Sequence, residues 1–138
     1  MPEIHYLSVA DVIALHYAIM ERFGRTDASL RDEGLLESAV MRSRMASYYE
    51  QADLIRQCAL LAVSISQAQA FTDGNKRAAF AACDVFLRIN GFIYMGNPLS
   101  LAQQLEQIAT RITSLEEAVR QFEQWLRTHV QLRTPSEP

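Results

Sequence analysis

A short charged motif between two apolar, alanine-rich segments constrains this sequence more than any other feature. The motif, Asp73 to Arg77 (DGNKR), packs a carboxylate, a glycine, an amide and two cations into five positions. The run from Ala78 to Val85 that follows predicts a helix whose first turn carries both cations. A helix start has unpaired N–H groups and the positive end of the helix dipole, so it repels cations unless an anion lies between them. The pattern therefore predicts an anion site, with phosphate as the usual guest.

The individual positions of the motif suit such a site. Gly74 permits a positive φ or the close approach of a ligand to the backbone. Asp73 can hold Mg²⁺ through one oxygen while phosphates and water supply the other ligands. Lys76 is the only lysine in the chain, and the other twelve of the thirteen Lys and Arg residues are arginine. The alternative is a capping Asp73, a turn and two solvated cations, and the motif alone does not decide between them.

Composition limits the class of protein. With 138 residues, 49% hydrophobic and 21% charged, the chain is expected to form one domain over residues 1–131, with a frayed tail at 132–138. A net charge of −3 argues against a DNA-binding surface. No apolar run approaches the ~20 residues that span a bilayer, and the start resembles no signal peptide, which predicts a cytoplasmic protein. Cys58 and Cys83 lie in apolar runs and are expected to be reduced core residues.

Apolar residues recur at helical spacing along most of the chain and predict an all-α bundle. His16 lies on or beside the apolar stripe of the first helix, which favours a buried structural histidine over a catalytic one. Residues 41–50 have no clear period and are expected to be extended or to form a hairpin-like flap, and residues 92–94 predict a short strand. The predicted helices are 9–23, a short one near 35–40, 54–68, 75–90, 99–110 and 115–126.

The segment Phe71 to Arg77 (FTDGNKR), between two apolar helices, resembles the central motif of the Fic/Doc (Fido) family. The similarity is to the Doc branch, whose motif is H-x-F-x-D-x-N-K-R, and LSVADVIALH, LRDEGLLESA and VFLRING resemble Doc segments in the same order. The resemblance covers about residues 6–130. It implies a helical bundle with a central helix–phosphate loop–helix motif, and a short substrate-docking flap at residues 42–50.

The resemblance also implies an ATP- and Mg²⁺-dependent transferase. Fic enzymes transfer AMP to a protein hydroxyl, whereas Doc is a toxin, paired with an antitoxin, that transfers the γ-phosphoryl group to a translation elongation factor. The Fic motif has a glycine in place of Lys76 and an arginine in place of Phe80, and both departures favour phosphoryl transfer. The implied roles are catalysis and metal binding for Asp73, phosphate binding for Gly74, Asn75, Lys76 and Arg77, and a core anchor for Phe71.

Gln69 occupies the position of the family's catalytic histidine. Its amide can orient a hydroxyl but cannot act as a general base, and loss of a base typically removes ~10²–10⁴-fold in rate. Three explanations stay open: a weakened or retired family member, a chain that uses another base such as Asp73, or an introduced substitution. His16 can replace the base only if the fold brings it to the site.

Other functions remain as alternatives to an active toxin. A catalytically silent domain that binds a nucleotide or a partner such as an antitoxin also fits the motif. A DNA-binding helical domain is disfavoured by the acidic balance. Residues 29–34 (SLRDEG) match the inhibitory-helix pattern of some Fic proteins, but they fall in a segment that already resembles ordinary Doc sequence.

Overall fold

The computed structural model describes residues 3–111 and 114–133. These residues contain six α-helices and one two-stranded sheet. The strands pair antiparallel, with Phe92 opposite Leu132. The all-α class predicted from the sequence is confirmed. The helices are α1 (Val9–Arg22), α2 (Glu33–Tyr49), α3 (Leu54–Ala68), α4 (Asn75–Ile89), α5 (Pro98–Arg111) and α6 (Leu115–Arg127), and the strands are β1 (Phe92–Tyr94) and β2 (Val130–Leu132).

Capping residues in the sequence set several helix boundaries. The Ser8 hydroxyl accepts a hydrogen bond from the Asp11 N–H, and the Asp11 carboxylate accepts one from the Ser8 N–H. Asp53 and Ser114 cap α3 and α6 through their side-chain oxygens, which accept from the N–H groups of Arg56 and Glu117, without the reciprocal bond that α1 has. Gly24 follows α1 with a φ of 70°. The predicted starts of these helices are confirmed, and their predicted ends agree with the structure to within one residue.

The central helix is α3, which packs mainly against α4, α2 and α6. Eleven of its fifteen residues are buried, as its nearly continuous apolar sequence predicts. Cys58 of α3 and Cys83 of α4 are buried free thiols with their Sγ atoms 3.3 Å apart, and burial raises the pKa of the Cys58 thiol. The two helices that flank the motif therefore pack directly against each other.

The prediction of a flap at residues 42–50 is wrong. This segment is the second half of α2, with Glu50 as its C-cap. The buried stripe of α2 continues from Leu36 through Ser43 and Ala46. Because serine and alanine are small and carry little apolar signal, the helical period is hard to recognise there from sequence alone.

The backbone that lies beside the motif loop is instead residues 29–32. Thr72 N–H donates to the Ser29 carbonyl (2.9 Å), and Arg31 N–H donates to the Ala70 carbonyl (2.7 Å). This extended stretch leads directly into α2. It holds the loop from one side while the helices hold its two ends.

The ordered chain continues past the predicted start of the tail. The predicted strand is confirmed as β1, but its partner β2 includes Leu132, and the Arg133 N–H donates to the Gly91 carbonyl (2.8 Å). Residues 134–138 of the predicted tail lie outside the described residues. The single domain over residues 1–131 stays a prediction. Among the described helices, none is long and apolar enough to cross a bilayer.

Candidate functional site

The loop between α3 and α4 opens into a cleft of about 460 Å³, and α5 forms its opposite wall. All six residues singled out from the sequence line this cleft: Gln69, Asp73, Gly74, Asn75, Lys76 and Arg77. Six further lining residues carry no local sequence signal: Arg25, Thr72, Leu99, Ala102, Gln103 and Glu106. The fold thus brings the candidate residues to one place, whereas their roles stay predictions.

The start of α4 provides hydrogen-bond donors to the cleft. Gly74 is the N-cap, with a φ of 79°, and no side chain caps the helix. The first helical bond of the turn is from the Ala78 N–H to the Gly74 carbonyl (2.9 Å), which leaves the N–H groups of residues 75–77 without a helical acceptor. The positive φ favours glycine at position 74, and a Cβ there would also force the Met20 thioether to shift.

The side chain of Asn75 holds the loop in shape. Its Nδ2 donates to the Phe71 carbonyl (3.0 Å), and its Oδ1 accepts from the Phe71 N–H (3.1 Å). Asn75 is 8% exposed and Phe71 is 2% exposed, so few waters compete for these bonds. The amide therefore stabilises the loop, and the backbone N–H of Asn75 is what remains for a ligand.

His16 supports the same loop from α1. Its Nε2 lies 2.8 Å from the Asp73 carbonyl oxygen, and because a carbonyl only accepts, Nε2 carries the proton. The ring stacks on Phe71 with centroids 3.8 Å apart and is 3% exposed. The predicted buried structural histidine is confirmed. The fold does not bring His16 into the cleft as a replacement for the family's histidine.

Three cations line the cleft. Lys76 is half-buried, and its ammonium has no ion-pair partner in residues 3–111 and 114–133. The Arg77 guanidinium lies 4.1 Å above the ring of Phe23, a cation–π contact that directs its side chain. Arg25 comes from the turn after α1 and forms an ion pair with Asp73. Together they favour a ligand with several negative charges.

Both oxygens of the Asp73 carboxylate are engaged. Oδ1 accepts from the Gly74 N–H (2.8 Å), and Oδ2 pairs with Arg25. No group of three or more potential His, Cys, Asp or Glu ligands is found in the part of the chain that the structure describes. A cation such as Mg²⁺ would therefore take one carboxylate from the protein and its other ligands from phosphates and water, which is a common arrangement for this metal.

Gln69 ends α3 in a left-handed conformation, with a φ of 56° and a ψ of 39°. Its Nε2 donates to the Ser66 carbonyl (3.2 Å), and its Oε1 accepts from Asn75 Nδ2 (3.4 Å). The Arg31 guanidinium donates to its backbone carbonyl. The residue at the family's histidine position is thus fixed at the cleft as a neutral amide with no proton-accepting nitrogen.

The pattern resembling an inhibitory helix does not form one helix. Residues 29–32 are extended beside the motif loop, and α2 begins at Glu33. Neither Ser29 nor Glu33 lines the cleft.

Comparison with known proteins agrees with the geometry. The model of the Fic/DOC family matches residues 6–87. The chain is 31% identical over 96 residues to "Protein kinase doc" of Escherichia phage P1, an alignment that covers 69% of this chain and 75% of that protein. It is 42% identical over 67 residues to "Toxin Doc" of Mycolicibacterium smegmatis, which covers 47% of this chain and 52% of that protein. The chain is therefore a member of the Fic/DOC family.

Proposed function

We propose that this chain is a toxin of a toxin–antitoxin system that binds ATP with Mg²⁺ in the cleft and transfers a phosphoryl group to a protein hydroxyl. The observation that carries the proposal is the uncapped, glycine-led start of α4 with Lys76 and Arg77 in its first turn. The names of the two relatives, a protein kinase and a toxin, support the same function. From the resemblance of the motif to the Doc branch, the proposed acceptor is a translation factor in the cytoplasm and the proposed partner is an antitoxin.

In this proposal the helix start and its cations stabilise the charge of the moving group. The free N–H groups of residues 75–77 point at the phosphates, and Lys76 and Arg77 neutralise charge that spreads over the phosphoryl oxygens in the transition state. Asp73 would hold Mg²⁺, which supplies further charge neutralisation when it is bound. His16 and Asn75 keep the loop in the shape that these contacts need.

The site is poorly equipped to remove a proton from the acceptor hydroxyl, because it offers no good general base. No imidazole lines the cleft, and its only carboxylates among the described residues are Asp73 and Glu106. Asp73 is already engaged by Arg25 and Gly74. Phosphoryl transfer depends mostly on positioning and electrostatic stabilisation, so a poor base slows the reaction, by ~10²–10⁴-fold, rather than abolishing it.

A second candidate function is a catalytically silent domain that binds a nucleotide or an antitoxin. The neutral amide at Gln69 and the burial of His16 behind the loop favour it. Both functions predict phosphate binding at α4, because the anion site does not depend on a general base. They differ only in whether a group is transferred.

Transfer with position-labelled ATP distinguishes these functions. The wild-type chain, Gln69→His and Lys76→Ala are each incubated with a translation extract and ATP carrying radioactive phosphorus at the γ or the α position. We expect the γ label to appear slowly in a protein band with the wild type, faster with Gln69→His, and not with Lys76→Ala. Transfer of the α label would assign AMP transfer instead. No transfer by wild type or Gln69→His would reject the enzyme and leave the silent domain.

A further inference from the structure

Among the described residues, Arg25 is the one cation of the cleft that lies outside the motif, and it pairs with the carboxylate implied as the metal ligand. It follows Gly24 in the turn after α1, and its guanidinium contacts Asp73 Oδ2. Its own N–H is fixed by a hydrogen bond to the Met20 carbonyl (2.9 Å). The Arg25 side chain is 52% exposed and that of Asp73 is 44% exposed, so the pair is open to ligands in the cleft.

A divalent cation and Arg25 compete for the same oxygen. Asp73 Oδ1 is occupied by the Gly74 N–H, which leaves Oδ2 as the oxygen free to change partners. A metal ion that binds Oδ2 displaces the guanidinium. Because the backbone of Arg25 is fixed and its side chain is long and half-exposed, the guanidinium can move without a change in the fold.

The displaced guanidinium can bind the phosphate groups of a nucleotide in the same cleft. The cleft that Arg25 lines is also lined by Lys76 and Arg77. A nucleoside triphosphate brought in with the metal is a multiply charged anion, and arginine binds phosphate oxygens through two parallel N–H groups.

We infer that Arg25 is a counter-ion that exchanges partners: it neutralises Asp73 in the free protein and moves to the phosphates when a metal–nucleotide complex binds. The inference rests on the proposed function, because it requires that the cleft bind a nucleotide and a divalent cation. It adds a phosphate-binding residue outside the motif. In the free protein the ion pair with Arg25 also reduces the negative charge that Asp73 presents to an incoming anion.

The exchange predicts opposite effects of one substitution on two ligands. Arg25→Met removes the competitor, so Mn²⁺ alone, added as a probe of the Mg²⁺ site, should bind about two- to fivefold tighter, the range of an exposed ion pair. The same variant loses a phosphate contact, so ATP with Mg²⁺ should bind about three- to tenfold more weakly. Arg25→Lys should recover most of the ATP affinity. Lys76→Ala should weaken ATP binding without weakening the binding of Mn²⁺ alone, because loss of a nearby positive charge can only favour a cation.

The experiment measures Mn²⁺ affinity by electron paramagnetic resonance and ATP affinity by calorimetry for the wild type and these three variants. A thermal melt of each protein verifies folding. Opposite shifts in Arg25→Met support the exchange. If Arg25→Met loses affinity for both ligands, Arg25 only maintains the shape of the site. If its Mn²⁺ affinity is unchanged, Arg25 does not compete with the metal. Either result overturns the inference. A wild-type chain that binds neither ATP nor Mn²⁺ would instead reject the proposed function, and the inference with it.

Discussion

Replacing Asn75 tests whether the loop is held in shape by its side chain. Asn75→Ala removes the partner of both the N–H and the carbonyl of Phe71, whose side chain is 2% exposed. Each buried backbone group left without a partner costs about 1–3 kcal/mol. Water from the adjacent cleft satisfies part of this demand, and alanine is a better helix former by about 0.5 kcal/mol. We therefore expect a loss of about 2–4 kcal/mol in the free energy of unfolding.

For a chain of this length the loss corresponds to a fall in Tm of roughly 6–15 °C. Urea denaturation followed by circular dichroism measures it, and calorimetry measures the affinity for inorganic phosphate, which should also fall. Asn75→Asp retains the acceptor for the Phe71 N–H but puts an oxygen in place of the Nδ2 donor, against the Phe71 carbonyl oxygen, so it should not recover the stability lost in Asn75→Ala. Gln103→Ala is the matched control, because this amide lines the same cleft with no side-chain hydrogen bond to the described residues, and it should stay within about 0.5 kcal/mol of wild type. A stability and a phosphate affinity for Asn75→Ala equal to those of the wild type would refute the reasoning.

Three further predictions concern residues around this loop and on α3. His16→Phe keeps the stack but loses the donor to Asp73, so phosphate affinity should fall severalfold in calorimetry, and His16→Gln, which restores a donor, should recover most of it. Glu106→Gln removes a negative charge from the cleft and should tighten phosphate binding by no more than about fivefold, because two unit charges even ~4 Å apart interact by only about 1 kcal/mol in water. Arg127 lowers the pKa of Asp53, so this ion pair stabilises the fold at neutral pH, and its contribution is lost as the pH falls through the lowered pKa. Asp53→Asn still caps α3 but has no carboxylate to protonate. Its free energy of unfolding in urea should therefore fall less than that of the wild type below about pH 4.

The features that the sequence predicted correctly depend on residues close together in the chain. The cap at Ser8, the glycine-led turn at Gly74 and the apolar run of α3 are each encoded within a few positions. The second half of α2 was missed because Ser43 and Ala46 continue its buried stripe without a strong apolar signal.

The parts of the site that the sequence could not predict come from distant segments. Arg25 and Glu106 reach the cleft only because α1 and α5 pack on either side of the loop. Likewise, the contact of His16 with Asp73 joins residues 57 positions apart, and an apolar stripe indicates burial but not the partner of a buried polar group. Strand β2 pairs with a segment almost forty residues earlier, and its three residues carry no pattern of their own.

The most direct measurement for the central claim is the affinity of ATP with Mg²⁺ for the wild-type chain and for Lys76→Ala, made by calorimetry beside a thermal melt of each ligand-free protein. Lys76 has no ion-pair partner in the described residues, so its removal should leave the Tm of the free protein within about 2 °C of wild type. Loss of one charge-assisted contact to phosphate should weaken ATP binding about tenfold or more. Equal affinities for the two proteins, or no measurable binding to the wild type, would contradict the claim that the start of α4 is a phosphate site.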